Sequence, residues 1–262
     1  MEIEFFKYQG TGNDFIMVDN RNLALPQKNT ELYRRLCDRR FGIGGDGFIM
    51  VQNKEGYDFE MVYFNSDGNE SSMCGNGGRC ITMFAKQLGI INTKAHFLAV
   101  DGPHDAEIFD DGRVSLYMKN VDEVERIGND LFLNTGSPHY VRFIEGDIDA
   151  FDLITEAHKV RYNERFAAQG TNVNIVKPEG SVLKVRTYER GVEGETFSCG
   201  TGVTAVALAA AANTPNGKDI VQPISTPGGN LQIVFDKIGP DKFENIRLEG
   251  PAEFLFGGRV SV

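Results

Sequence analysis

Two short stretches decide the fold, Cys74-Gly75-Asn76-Gly77-Gly78 in the first half of the chain and Cys199-Gly200-Thr201-Gly202 in the second. Each follows residues patterned as strands, and each opens a helix. The first helix is predicted over about 77–88, with Ile81, Phe84 and Leu88 on one side and Gly89 as its stop. The second is predicted to run to about 212, where Pro215 and Asn216-Gly217 end it.

The pattern around the two turns recurs as well. In the first half, residues 5–19 read as two strands around Gly10-Thr11-Gly12-Asn13-Asp14. Asn29 and Thr30 cap a helix to about 40, with Leu32, Tyr33, Leu36 and Cys37 on one face. Strands follow at 48–52, 59–65, 95–100, 106–109 and 114–119. The second half offers strands at 131–134, 140–144, 172–176, 182–188, 231–235 and 246–250, and a short helix capped by Asp149. This internal repeat predicts an α+β protein of two similar lobes. Each lobe is a strand-rich sheet around a central helix. Residues 1–118 form the first lobe, with strands in 252–262 returning to it, and 119–251 form the second. A pseudo-twofold axis would bring both helix N-termini to one cleft.

A helix start exposes backbone N–H groups and the positive end of the dipole, so it favours a carboxylate. A cysteine there has its thiolate favoured for the same reason. One Cys-Gly-x-Gly turn is a weak signal: it reads as a phosphate cradle, a reactive thiol or, most often, only a tight cap. Two in matching contexts fit a substrate carboxylate between them and one thiol on each face of the neighbouring carbon. Cys74 and Cys199 are then an acid–base pair that inverts a stereocentre: one thiolate removes a proton, and the opposite thiol delivers one.

The other two cysteines read as packing residues, Cys37 on an apolar helix face and Cys80 just inside the helix after Cys74. No Cys-x-x-Cys pair supports a zinc site, and no Walker or dinucleotide fingerprint occurs. The 262 residues carry a formal net charge of −10, which disfavours nucleic acid and anionic membrane as partners. The first residues lack the basic and apolar blocks of a signal peptide, and no apolar run is long enough to span a membrane. A cytoplasmic protein with reduced thiols is expected.

These residues resemble the diaminopimelate epimerase family along the whole chain. The resemblance lies in Gly10–Phe15, Phe64-Asn65-Ser66-Asp67-Gly68, Met73–Cys80, Gly136-Ser137-Pro138-His139, 170–174, and Tyr188-Glu189-Arg190-Gly191 through Gly202. It implies interconversion of LL- and meso-diaminopimelate for lysine and peptidoglycan precursors, by a homodimer that uses neither pyridoxal phosphate nor any other cofactor or metal. It assigns Cys74 and Cys199 as the catalytic pair, with His139 and Glu189 tuning their ionisation. Substrate binding falls to Asn13, Asn65, Gly75, Asn76, Asn172, Glu189, Arg190, Gly200 and Thr201. The sequence departs from the family at Ser137, where some members carry Asn, and at Gly47, where some carry Gln. A related racemase for another amino acid, such as a basic one or proline, and a thiol redox sensor are the competing readings. Arg190, as a clamp for a distal carboxylate, favours the bis-amino-acid substrate.

Overall fold

The computed structural model describes residues 2–71 and 73–261. The chain divides into two units, Met1–Leu116 with Gly250–Val262, and Tyr117–Glu249.

The first unit opens with β1 (Glu2–Gly10) and β2 (Asn13–Asp19), an antiparallel hairpin. Thr11 and Gly12 form its two-residue turn at φ 48° and 82°. Positive φ at both positions matches the twist of the flanking strands. Helix α1 (Thr30–Cys37) starts where the Asn29 side chain accepts from the Leu32 amide, and it buries Tyr33, Leu36 and Cys37. It ends with its last apolar position, Cys37, and not near residue 40 as expected, because the Asp38 carboxylate accepts from the amides of Arg40 and Phe41, each at 2.7 Å, and turns the chain.

β3 (Gly47–Gln52), β4 (Phe59–Asn65), α2 (Gly75–Gln87), β5 (Lys94–Ala99), β6 (Gly102–Ile108) and β7 (Val114–Tyr117) follow. From β1 to β7 the successive pairings are antiparallel, parallel, antiparallel, parallel, antiparallel and antiparallel. The C-terminal strand, Glu253–Ser261, pairs antiparallel with β1. Tyr33 stacks on Phe48 and leans on Phe64, which seats α1 outside the sheet. Helix α2 is different: between Gly75 and Ala85 only Met83 is not buried. Such a helix has no solvent face and lies inside the unit. Small residues make that possible, since a Cβ on Gly78 would sit 2.4 Å from the Met73 methyl.

The second unit contains β8 (Glu125–Ile127), β9 (Asp130–Asn134), β10 (Pro138–Phe143), α3 (Leu153–Arg161), β11 (Asn172–Glu179), β12 (Val182–Glu189) and β13 (Gly194–Thr196). Then come α4 (Gly200–Ala211), β14 (Gly217–Thr226), β15 (Gly229–Gly239) and β16 (Lys242–Gly250). Through β9, β10, β11, β12, β14, β15 and β16 the pairings alternate just as in the first unit. An outer helix again follows the second strand of this series and a central helix the fourth. The repeat is therefore structural: two strand-rich sheets, each with a buried helix.

Helix α3 is capped by Asp152, which accepts from Thr155 N, and not by Asp149 as the sequence implied. Strand β14, absent from the sequence reading, has mostly exposed or half-buried side chains, so no clean apolar alternation marks it. Helix α4 is buried throughout except at Thr201 and Ala210. Its last carbonyls are answered by a buried cation: Lys237 Nζ donates to the carbonyls of Ala211, Ala212 and Thr214 at 2.5–2.7 Å. An ammonium there also suits the negative end of the helix dipole.

Candidate active site

Each central helix begins at a cysteine. Cys74 is the N-cap of α2 and Cys199 the N-cap of α4, both with extended backbone and neither accepting a capping bond on its side chain. Neither first turn holds an acidic residue. The amides of Gly78 and Val203 close onto the carbonyls of Cys74 and Cys199. The three amides before them, of Gly75, Asn76 and Gly77 or of Gly200, Thr201 and Gly202, have no acceptor inside the helix. These amides and the dipole favour an anion beside each sulfur.

In the first unit the half-buried Cys74 Sγ lies 3.6 Å from Asn13 Oδ1, and Asn76 Nδ2 lies 3.4 Å from the same oxygen. Asn13 Nδ2 donates to Asp46 Oδ2 at 2.6 Å, which fixes the direction of its amide. Asp46 and Asp14 share Arg39, at 2.7 and 2.6 Å, and Asp14 also pairs with Lys7 at 2.7 Å. Burial raises the Asp14 carboxyl, but the bonds from Arg39 and Lys7 outweigh it and hold the group at about 2. Asn65, at the end of β4, has an exposed side chain with no hydrogen bond among the described residues. Gly47 is dictated by packing: a Cβ would lie 2.4 Å from the Tyr63 ring and 2.8 Å from the Phe64 carbonyl.

In the second unit the sulfur heads a chain of neutral groups. Cys199 Sγ is 3.5 Å from Thr201 Oγ1, and that hydroxyl is 2.9 Å from His139 Nε2. Asn174 Nδ2 reaches both His139 Nδ1 at 3.1 Å and the Tyr140 carbonyl at 3.0 Å. A carbonyl only accepts, so this atom is the NH2 group, and His139 Nδ1 is the acceptor. The neutral imidazole then carries its proton on Nε2 and donates to Thr201, leaving the threonine hydroxyl to donate to sulfur. Burial, and next the charge of Arg190, push His139 down to about 3, which keeps the ring neutral in ordinary buffers. Gly202 makes the packing possible, since a Cβ there would be 2.6 Å from Asn174 Oδ1 and 3.3 Å from the His139 ring.

Asn172 is buried and spent internally. Its Nδ2 donates to Ser137 Oγ at 2.6 Å and to the Pro138 carbonyl at 2.9 Å, while its Oδ1 accepts from Arg190 N at 2.8 Å. It braces the loops that carry Ser137 and Arg190. Glu189, half-buried, accepts from Thr196 Oγ1 at 3.0 Å. Arg190 is exposed, and its guanidinium bonds the Gln169 carbonyl at 3.0 Å with no carboxylate partner among the described residues. Asp46, Asn174 and Thr187, which donates to Asn174 Oδ1 at 3.0 Å, escaped the sequence reading. Nothing in their local pattern marks them, although Asn174 lies within a stretch that carries the family resemblance. Among the described residues no cluster of three or more His, Cys, Asp or Glu could hold a metal ion.

A repeated α+β fold with a cysteine heading each buried helix defines the class. The same fold occurs in a phenazine biosynthesis protein of the PhzF family from Bacillus anthracis, with TM-score 0.78 and 13% identity over all of both chains. It occurs too in a probable proline racemase from Agrobacterium radiobacter, with TM-score 0.71 and 13% identity over 99% of this chain and 93% of that one. The sequence model of diaminopimelate epimerase matches residues 5–124 and 131–255. The diaminopimelate epimerase of Flavobacterium psychrophilum is 50% identical over 97% of this chain and 98% of its own length. That of Aquifex aeolicus is 36% identical over 99% and 98%. The chain belongs to the diaminopimelate epimerase family.

Proposed function

We propose that this protein interconverts LL- and meso-diaminopimelate in lysine and peptidoglycan precursor synthesis, with Cys74 and Cys199 as the two acid–base groups at the α-carbon. The observation that carries the mechanism is the matched pair of cysteine N-caps, each with first-turn amides left without intrahelical acceptors. In this reading the amides bind the reacting carboxylate and take up the charge that spreads onto it when the proton leaves. The thiolate of one cysteine removes the α-proton, and the thiol of the other returns a proton to the opposite face. The roles exchange in the reverse direction, so no cofactor is required to balance the reaction.

The substrate carries a second amino-acid head. Arg190, exposed and without a carboxylate partner among the described residues, suits the distal carboxylate, and Glu189 and Asn65 suit ammonium groups. Binding energy from that head orients the reacting carbon. The same reading makes the protein a cytosolic homodimer. Phe254, Leu255 and Phe256, each about half exposed on the C-terminal strand, offer apolar surface for the partner.

Incubating the reduced protein with LL-diaminopimelate in D2O tests the proposal. Deuterium should enter at the α-carbon as meso product appears in the NMR spectrum. Absence of both under reducing conditions would overturn it.

A further inference from the structure

Arg79 is among the largest fully buried side chains of the protein, one turn inside α2 from Cys74. Its Nη2 lies 3.0 Å from Asn76 Oδ1 and 3.1 Å from Thr11 Oγ1. Its Nε is 3.2 Å from the Pro251 carbonyl, and its Nη1 is 3.4 Å from the Gly75 carbonyl. Every acceptor is neutral, and among the described residues no carboxylate pairs with it. Burial works against the charged form, while the neighbouring thiols Cys80 and Cys74 favour it once ionised. Guanidinium nonetheless stays protonated in proteins. A buried cation without a fixed anion costs several kcal/mol, so packing alone does not account for an arginine here. The chain also makes room for it: a Cβ on Gly10 would stand 3.3 Å from Nη2.

We propose that Arg79 is a positioning residue that supplies the built-in counter-charge for the Cys74 thiolate and fixes the amide of Asn76 beside it. The guanidinium has only donors, so the Asn76 atom that faces it is Oδ1, and Nδ2 is turned toward Asn13. Asn13 Oδ1 favours the protonated Cys74 thiol, and Arg79 with the helix amides opposes that preference. The other charged neighbours offset one another: Asp14 and Asp46 against Lys7 and Arg39 around Asn13. Cys80 and Tyr8 are each pushed up to about 12, foremost by burial, and stay neutral. Glu253, which also faces Cys80, accepts from Gln9. The second unit has no cation at the matching helix position; its cations near α4 include Arg190, which faces His139, and Lys237 at the far end of the helix. The position five residues after Cys199 is Thr204, whose hydroxyl donates to the Gly200 carbonyl at 2.9 Å. The device thus serves one thiol of the pair.

This inference rests on the two-thiol reading, but its readout needs no turnover. The pH midpoint of iodoacetamide alkylation is measured at Cys74 in a Cys199→Ala background and at Cys199 in a Cys74→Ala background. Arg79→Gln should raise the Cys74 midpoint by about one pH unit or more and leave the Cys199 midpoint in place. Arg79→Lys, which keeps the charge, should restore most of the shift. A folded Arg79→Gln protein with an unmoved Cys74 midpoint, or with both midpoints moved alike, overturns the proposal. Should Arg79→Gln not fold, Thr11→Val removes one anchor of the guanidinium and should raise the Cys74 midpoint by a smaller step. An unmoved midpoint there overturns the proposal equally.

Discussion

The two units share a strand order, a buried helix and a cysteine at its head, yet they surround the sulfur differently. In the first unit, Asn13 reaches Cys74 from a base of two carboxylates and two cations, and a buried guanidinium sits one turn into the helix. In the second, Cys199 ends a chain of neutral groups, from Asn174 through His139 to Thr201. The helix amides are the common part, and in each unit they favour an anion beside the sulfur. The parts that differ are the side chains nearest each sulfur, Asn13 in one unit and Thr201 in the other. A repeat can therefore keep one helix start while giving two chemically identical thiols separate environments.

The largest expected effect removes the comparison altogether. Cys74→Ala and Cys199→Ala should each lower LL-to-meso conversion by at least about 10³-fold, because a two-base inversion loses either its base or its acid. Near-normal turnover in either variant would show that one base suffices. Cutting the neutral relay comes next. Thr201→Val should reduce kcat about 10- to 100-fold, the worth of one hydrogen bond to a charged group, while the Cys74 alkylation midpoint stays put. A kcat equal to that of the parent would make the relay a packing feature only.

Glycines at matching positions sharpen the contrast further. A Cβ at Gly202 meets Asn174 Oδ1 at 2.6 Å, whereas one at Gly77 meets the flexible ends of Ile49 and Met61 at 3.1 and 3.3 Å. Gly202→Ala should destabilise the protein by about 1–3 kcal/mol and Gly77→Ala by clearly less, as read from urea midpoints. Equal losses would place the His139 network outside the packing of the helix start.

The last contrast is a slope with pH, spread over several units so that the change at any one step is small. Burial, and next the charge of Arg190, hold the folded His139 imidazole down at about 3, well below its ordinary 6.5, so the unfolded chain binds the extra proton between those values. Stability should rise with pH across that window, by up to about 1.4 kcal/mol per pH unit, and His139→Gln should flatten the rise. Asp14 has the same sign, but its contribution is lost lower, as pH falls from 3.8 through about 2. An unchanged slope in His139→Gln would mean that the imidazole does not stay neutral in the fold.

The repeat was legible because glycine pairs and helical periodicity are local features, and two similar Cys-Gly-x-Gly contexts are hard to produce by chance. The sulfur pair followed from where a helix starts. Helix ends were less legible: Asp38 stops α1 by accepting from the amides of Arg40 and Phe41 just beyond it, and Asp152 rather than Asp149 caps α3. Local sequence offers several aspartates, and only the folded backbone selects one. Strand β14 was missed because its burial follows the neighbours it pairs with, not its own alternation.

The site divides along the same line. Sequence alone placed a cysteine and free helix amides at the head of each central helix, and it held the residues that carry the family resemblance, since each of these sits in a contiguous motif. Only the tertiary structure decided that Asn172 braces loops, that His139 is a neutral donor reaching Cys199 through Thr201, and that Arg79 is a buried cation. Burial and hydrogen-bond partners set those properties, and they come from residues far apart in the chain: Thr11, Asn76 and Pro251 around Arg79, and Asn174 and Thr201 around His139.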